Sequence, residues 1–256
     1  MRAAWLTAGT ICTIIATMVA TVALWRGFAM ARPPVERTYR TVQFSGKSLK
    51  VEASRGRVTV RIVPGEAGVV VVDREVRWSK DRPAITQEWD GRKLTLGSTC
   101  PDTGLHNEPL CSTDFLVSVP PETAVEARST SGQLDVTGVT RELRLTTVSG
   151  DVRVSDSAGP LTVRSGSGDI DADFLSGDKV DVETGGGDVR MLFDVAPHEI
   201  RAVARTRGAV NILVPEGRYD VTAQAERTRV LVESDSAAPR KITASAPKSS
   251  VSIGYR

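Results

Sequence analysis

Aromatic residues make up 5% of the 256-residue chain, too few for a broad platform that stacks bases or sugars. Two His and three Cys are too few for a standard multi-ligand zinc centre. Excess charge is missing as well. Thirty-three basic side chains stand against 31 acidic ones, a net +2, which argues against a general nucleic-acid binder. There is no Gly-x-Ser-x-Gly elbow, and no motif pairs His106 or His198 with a nucleophile, so no catalytic triad can be read. No apolar stretch of helical period follows residue 40. What is present is ordinary for a globular chain, 40% hydrophobic and 25% charged, with 22 Gly unevenly spread.

Residues 3–25 carry no charge, and Arg2 and Arg26 bracket them. Such a run covers roughly 34 Å as a helix, slightly more than the ~30 Å hydrocarbon core of a bilayer. Trp5 and Trp25 lie near its two ends, where amphipathic rings prefer to sit. The expectation is an N-terminal transmembrane helix within residues 1–30, or alternatively a signal peptide cleaved near Ala29-Met30-Ala31. Cys12, inside the run, reads as a small apolar helix residue. Arg26, Arg32, Arg37 and Arg40 follow the run, which by the positive-inside rule alone keeps the body in the cytoplasm. Cys100 and Cys111 argue the other way. They flank a short polar loop in a chain with an export-like segment, so a disulfide and an extracytoplasmic body are expected.

The body repeats itself. SGQLDV (131–136), SGDVRV (149–154), SGDIDA (167–172) and GGDVRM (186–191) place Gly132, Gly150, Gly168 and Gly187 at steps of 18, 18 and 19 residues. Gly208 follows 21 residues on, and the spacing continues at Thr228 and Ser249. Each step holds a second short alternating segment, for example LRL (143–145) and LTV (161–163). Alternation in Val, Ile, Leu and Thr marks strands with one buried face. A single short strand pair cannot bury its apolar face alone, whereas stacked units build continuous apolar columns. One expected column is Leu134, Val152, Ile170, Val189, Val210, Val230 and Val251, with a companion ending in Ile212, Val232 and Ile253. Between the apolar positions lie outward residues, Asp135, Arg153, Asp171 and Arg190 in one strand. Glu126, Arg144, Thr162, Asp181, Arg201 and Asp220 lie in the other. An in-order parallel stack makes neighbouring charges mostly alternate in sign. The Gly positions, with Asp151, Asp169 and Asp188 after them, read as repeated turn chemistry.

The fold class is therefore all-β, a β-solenoid-like stack of two-strand repeats of about 18–21 residues behind one N-terminal helix. Residues 31–40 read as a linker and 41–256 as the β domain. Within it, 41–119 is an irregular capping part of mixed strands and 120–256 the regular repeats. Gly56 in SRGRVTV looks like an early, degenerate copy of the repeat.

SGDV at 149–152, SGDI at 167–170 and GGDV at 186–189, recurring behind a membrane segment and a Cys-flanked loop, resemble the bacterial "putative adhesin" β-strand-repeat family, a domain family of unknown function. The resemblance covers about residues 45–254, although the Ser-Gly-Asp triplet is lost from Gly208 onward. It implies a membrane-anchored protein and brings no catalytic residues.

Other chemistries read less well. The repeat period is about double the nine-residue period of Ca²⁺-binding β-roll repeats. Asp169, Asp171 and Asp173 could together attract a hard cation, but alternate strand residues share one face and Asp173 reads as part of a turn, so no metal or cofactor is expected. Asp151, Asp169 and Asp188 could form the carboxylate row of a carbohydrate-active β-helix, but repeated turn Asp is the simpler account. Residues 130–194 hold twelve acids and six bases, residues 195–256 ten bases and six acids, so the stack is acidic in its middle and basic toward its end. The leading expectation is a non-enzymatic cell-envelope protein, attached to the membrane through residues 3–25. It would meet an envelope polymer or protein partner, and not nucleic acid, in adhesion, envelope interaction or sensing. The alternatives are a carbohydrate-active enzyme or a membrane-attached intracellular scaffold.

Overall fold

The computed structural model describes residues 2–31, 34–101 and 111–256. Helix α1 (Arg2–Ala31) comes first. Its side chains are described over residues 11–27, and all of them are exposed. Among the described residues no helix is long and apolar enough to cross a membrane. The side chains described in α1 cover fewer residues than the ~20 a span needs.

The rest is strand. β1 (Val35–Gln43), β2 (Ser48–Pro64), β3 (Val69–Trp78), β4 (Ala84–Trp89), β5 (Lys93–Thr99) and β6 (Cys111–Val119) precede the regular repeats. These follow as β7 (Ala124–Ser131), β8 (Leu134–Thr137), β9 (Leu143–Ser149), β10 (Val152–Ser155), β11 (Leu161–Ser167) and β12 (Ile170–Leu175). β13 (Lys179–Gly186), β14 (Val189–Phe193), β15 (Glu199–Arg207) and β16 (Val210–Val214) complete them. The chain ends with β17 (Arg218–Val230), β18 (Glu233–Ser234) and β19 (Lys241–Tyr255).

Each coil contributes two strands, and like strands of successive coils pair in parallel. Val152 lies between Leu134 and Ile170, and Ile170 beside Val189. Leu161 lies between Leu143 and Val180, and Val180 beside Ile200. The inward residues of both strand rows form one core that runs from Phe44 to Ile253. The stack and its columns stand as the alternation predicts through β16, because a period-two pattern admits only one face to the core.

The two ends depart from chain order. At the first end, β2 is an inner coil: its first half pairs with β5 and β7, its second half with β6 and β8. The coil β5–β6 lies outside it, covered by antiparallel β4 on β5 and by antiparallel β3 on β6. β1 extends β3 from within the stretch expected to be a linker. Its side chains are nearly all exposed, so no burial pattern announced it. Ion pairs from Arg37 to Glu75 and from Glu36 to Arg74 and Arg82 tie it down.

At the far end the expected order fails. β19 inserts between the β15–β16 coil and β17, so that Val251 sits beside Val210 and Ile253 beside Ile212. Val230 pairs with Ile253 on the outer side, and Val232 follows β17 instead of joining the Ile212 column. Likewise Thr243 lies next to Arg201, while Asp220 pairs with Lys241. The reason is visible in the core positions. Ile242, Ala244, Ala246, Val251 and Ile253 of β19 repeat Ile200, Ala202, Ala204, Val210 and Ile212 of the coil before, and all are buried. β17 offers Val221, Ala223, Ala225, Thr228 and Val230, a poorer set for a strand buried on both sides but adequate for the last one. Tyr219, fully buried with its hydroxyl donating to the Pro215 carbonyl at 2.8 Å, would not fit a mid-stack column of aliphatic residues.

Candidate functional site

Three features of the stack organise its surface: a glycine corner, a carboxylate ladder and rows of outward charge. At the corner, each repeat Gly packs against the carbonyl of its predecessor. A Cβ on Gly150 would lie 2.1 Å from the Gly132 carbonyl oxygen, and one on Gly208 would lie 1.8 Å from that of Gly187. Gly168 and Gly187 stand in the same file, and a Cβ on Gly132 would meet the Val58 carbonyl. With φ at 151° and 115°, Gly150 and Gly208 also hold backbone conformations that L residues rarely adopt.

Beside the glycines runs the carboxylate ladder. Asp151 Oδ1 accepts the Asp169 amide at 3.1 Å, Asp169 Oδ1 the Asp188 amide at 2.8 Å, and Asp188 Oδ1 the Ala209 amide at 2.9 Å. Each Asp thus caps a turn donor one coil further on. Every rung spends a carboxylate oxygen on the backbone, which supports the turn reading of this row over the catalytic one. Among the described residues no group of three His, Cys, Asp or Glu side chains gathers as a metal site. Asp171 instead faces Arg190 at 3.2 Å, and burial together with the Asp171 charge pushes the Asp173 carboxyl up.

Charges alternate in sign along the first outward row, whereas Thr162 interrupts the second. Asp135 lies between Arg61 at 4.0 Å and Arg153 at 3.9 Å, in register across β2, β8 and β10. On the other strand row Asp181 contacts Arg164 and Arg201, and Glu183 contacts Arg201 and Arg205. Burial works to raise both carboxyls, but the guanidinium hydrogen bonds outweigh it and hold both below their ordinary values. Two shallow grooves meet at Arg61. One of about 350 Å³ is lined by Asp73, Glu75, Arg77 and Asp114, the other, of about 250 Å³, by Asp135, Arg153 and Asp171. Charged side chains make up much of both walls, with Phe115 and Leu116 also lining the first and Val136 and Val154 the second.

Cys100 and Cys111 form a disulfide that joins the end of β5 to the start of β6, with Cα atoms 6.1 Å apart. His106 lies outside the described residues. His198 is exposed and pairs with Asp178, whose carboxyl its hydrogen bond holds low. One feature was missed in the sequence although its signal is there. Three residues before each corner Gly stands a hydroxyl, Ser129, Thr147, Ser165 and Thr184, and all four are buried in register. Thr184 donates to the Gly168 carbonyl.

The basic end is also resolved into particular residues. Arg207, on the β15–β16 coil, Lys248, on β19, and Arg227, on β17, occupy the same corner of three successive coils, and Arg229 follows two residues on. No ion pair holds any of the four among the described residues.

The Toastrack DUF4097 family model matches residues 117–246, half of the chain. Several solved structures are similar at low identity, among them the following three. A "putative cell adhesion protein" from Clostridium sporogenes is 12% identical, with a TM-score of 0.41, covering 87% of this chain and 100% of its own. A "putative adhesin" from Bacteroides fragilis is 11% identical, with a TM-score of 0.46, covering 88% and 99%. A "putative lipid binding protein" from Parabacteroides distasonis is 10% identical, with a TM-score of 0.35, covering 86% and 97%. No curated protein matches the chain.

Proposed function

The chain belongs to the Toastrack DUF4097 family, and on that premise we propose that it is a non-enzymatic protein of the cell envelope. In this reading α1 is a membrane anchor, and the stack stands outside the membrane as a repetitive polar surface for adhesion, envelope interaction or sensing. The observation that carries the reading is the Cys100–Cys111 disulfide in a chain that begins with an uncharged run over residues 3–25. A disulfide persists in an oxidising compartment, and such a run supplies the route to one.

Further support comes from α1 itself. Every side chain from Ile11 to Trp25 is exposed and none is charged. Ile11, Ile14, Ile15, Met18, Val19 and Val22 form one apolar stripe, and Ala, Thr, Cys12 and Leu24 fill the rest of the circumference, an arrangement that suits lipid better than water. The Thr17 and Thr21 hydroxyls donate to carbonyls one turn earlier, which leaves no hydroxyl proton to a solvent that cannot accept it. α1 joins the stack through β1, at the end that β3 and β4 cap. Nine coils at ~4.8 Å spacing then carry the basic end on the order of 40 Å from the anchor.

The test is fractionation of cells that produce the full chain. An anchored protein stays in the membrane pellet after alkaline carbonate, and protease added to intact cells digests the stack. Release by carbonate overturns the anchor. A stack that resists protease until the cells are lysed overturns the exterior placement and favours an intracellular scaffold.

A further inference from the structure

The two ends of the stack are finished differently. At the α1 end, β3 and β4 lie antiparallel across the terminal coil. At the other end β18 pairs only with Arg218 and Tyr219, and among the described residues nothing pairs with residues 221–230 of β17 on the side away from β19. Strand parity tells which backbone groups are left over. The Asp220 amide points to β19, where it donates to the Arg240 carbonyl, and the Tyr219 carbonyl points the other way and accepts the Asp235 amide. The amides of Val221, Ala223 and Ala225 therefore face the open side. An uncovered strand edge of this length is a template for another strand.

The side chains around the edge say which strand. On the core side Val221, Ala223 and Ala225 are half-buried and Val230 is 37% exposed, so the end of the apolar core is only partly covered. On the outward side stand Arg227 and Arg229, with Lys248 and Arg207 on the coils beneath and a single exposed acid, Glu226, beside them. A second copy of this edge would bring the same cations against one another. We propose that the edge of β17 is a docking site for an extended acidic polypeptide segment, added as one further parallel or antiparallel strand. Its main chain pairs with the amides of residues 221–225. Its small or apolar side chains cover Ala223, Ala225 and Val230, and its alternate carboxylates meet Arg227 and Arg229. This site does not depend on α1 being an anchor, which the fractionation above reads separately.

The full chain in neutral detergent micelles is titrated with a labelled ten-residue peptide of alternating threonine and glutamate, by fluorescence anisotropy. Saturable binding is expected. Ala223→Pro removes an amide that faces the open side and none that faces β19, and weakens binding at least tenfold. Arg227→Glu with Arg229→Glu weakens it as much and transfers preference to the peptide with lysine in place of glutamate, which also shows that this variant is folded. Thermal unfolding checks the Ala223→Pro protein, and Thr228→Pro, at the second outward-facing stretch of the edge, repeats the test independently. Absence of binding overturns the proposal. So does unchanged binding by both proline variants, or full competition by polyphosphate or by phosphatidylglycerol vesicles, because the site would then answer to negative charge without main-chain pairing.

Discussion

Val210 and Val251 are register neighbours in adjacent parallel strands, although the whole of β17 lies between them in the chain. The last strand is thus not the last coil. The same inversion occurs at the other end, where β2 lies inside the coil made by β5 and β6. At each end the chain lays down the terminal coil at one time and the coil beneath it at another, so a strand distant in sequence locks the terminus. A stack built this way gains a cooperative coupling at its ends that simple nearest-neighbour accretion of repeats lacks.

Insertion of β19 separates two substitutions that in-order stacking would make equivalent. Ile253 is 0% exposed between Ile212 and Val230, whereas Val230 is 37% exposed on the outermost coil. Ile253→Ala is expected to cost ~2–4 kcal/mol in chemical denaturation, as for other fully buried aliphatic truncations. Val230→Ala should cost less than about 1 kcal/mol. Equal losses would contradict the insertion.

The glycine corner gives a second contrast. At Gly150 the positive φ and the carbonyl 2.1 Å from a Cβ act together. At Gly68 the φ is also positive, at 81°, but the space is open. Gly68→Ala is expected to cost about 1 kcal/mol, from the backbone conformation alone. Gly150→Ala has to move a neighbouring coil as well and should cost more than ~2 kcal/mol, read as a fall in denaturation midpoint.

The middle of the stack was legible because its signals are local and repeated. Leu134, Val152, Ile170 and Val189 recur at nearly constant spacing, and Gly132, Gly150 and Gly168 mark the same corner each time, so register follows without tertiary information. The order of the end coils was not legible from spacing, since Thr228 and Ser249 keep the period whichever coil comes last. The deciding information lay in composition: the Ile-Ala-Ala-Val-Ile set of β19 matches the preceding coil, while β17 carries Thr228 where a core strand needs an aliphatic residue. β1 escaped because an edge strand held by ion pairs has no buried face to display. Among the surface features, the sign alternation of Asp135 and Arg153 could be read directly, but that Arg207, Arg227 and Lys248 have no ion pair among the described residues depends on which coils adjoin.

Acid should weaken the Asp181–Glu183 cluster. Both carboxyls lie below their ordinary values of 3.8 and 4.5 in the folded chain, burial opposing the shift and the arginine hydrogen bonds prevailing. A depressed folded value means that the stabilisation is complete above the unfolded values and is lost as pH falls through the folded ones. Asp173, raised by burial and by Asp171, works in the opposite sense and is relieved by acid. The Asp181→Asn, Glu183→Gln double variant should therefore melt below the parent at about pH 7, and the gap between them should close toward about pH 3. A gap that stays constant with pH would show that the arginines contribute nothing through charge.

Reduction of Cys100–Cys111 tests whether the α1 end unfolds as a unit. The bond closes the connection from β5 to β6, which together form the terminal coil at that end. Opening a loop of this length releases unfolded-state entropy worth roughly 2–3 kcal/mol in the chain-entropy model. In a stack whose coils touch only their neighbours, that loss should be felt where it is made. With reductant, amide hydrogen exchange is expected to rise in β4, β5 and β6 and then in β3, which lies across β6. The amides of β14 and β16, far along the stack, should keep their protection, and the Cys100→Ser, Cys111→Ser double variant should show the same pattern without reductant. A uniform rise through β14 and β16 would mean that the whole stack opens together, so that the locked ends, not the individual coils, set its stability.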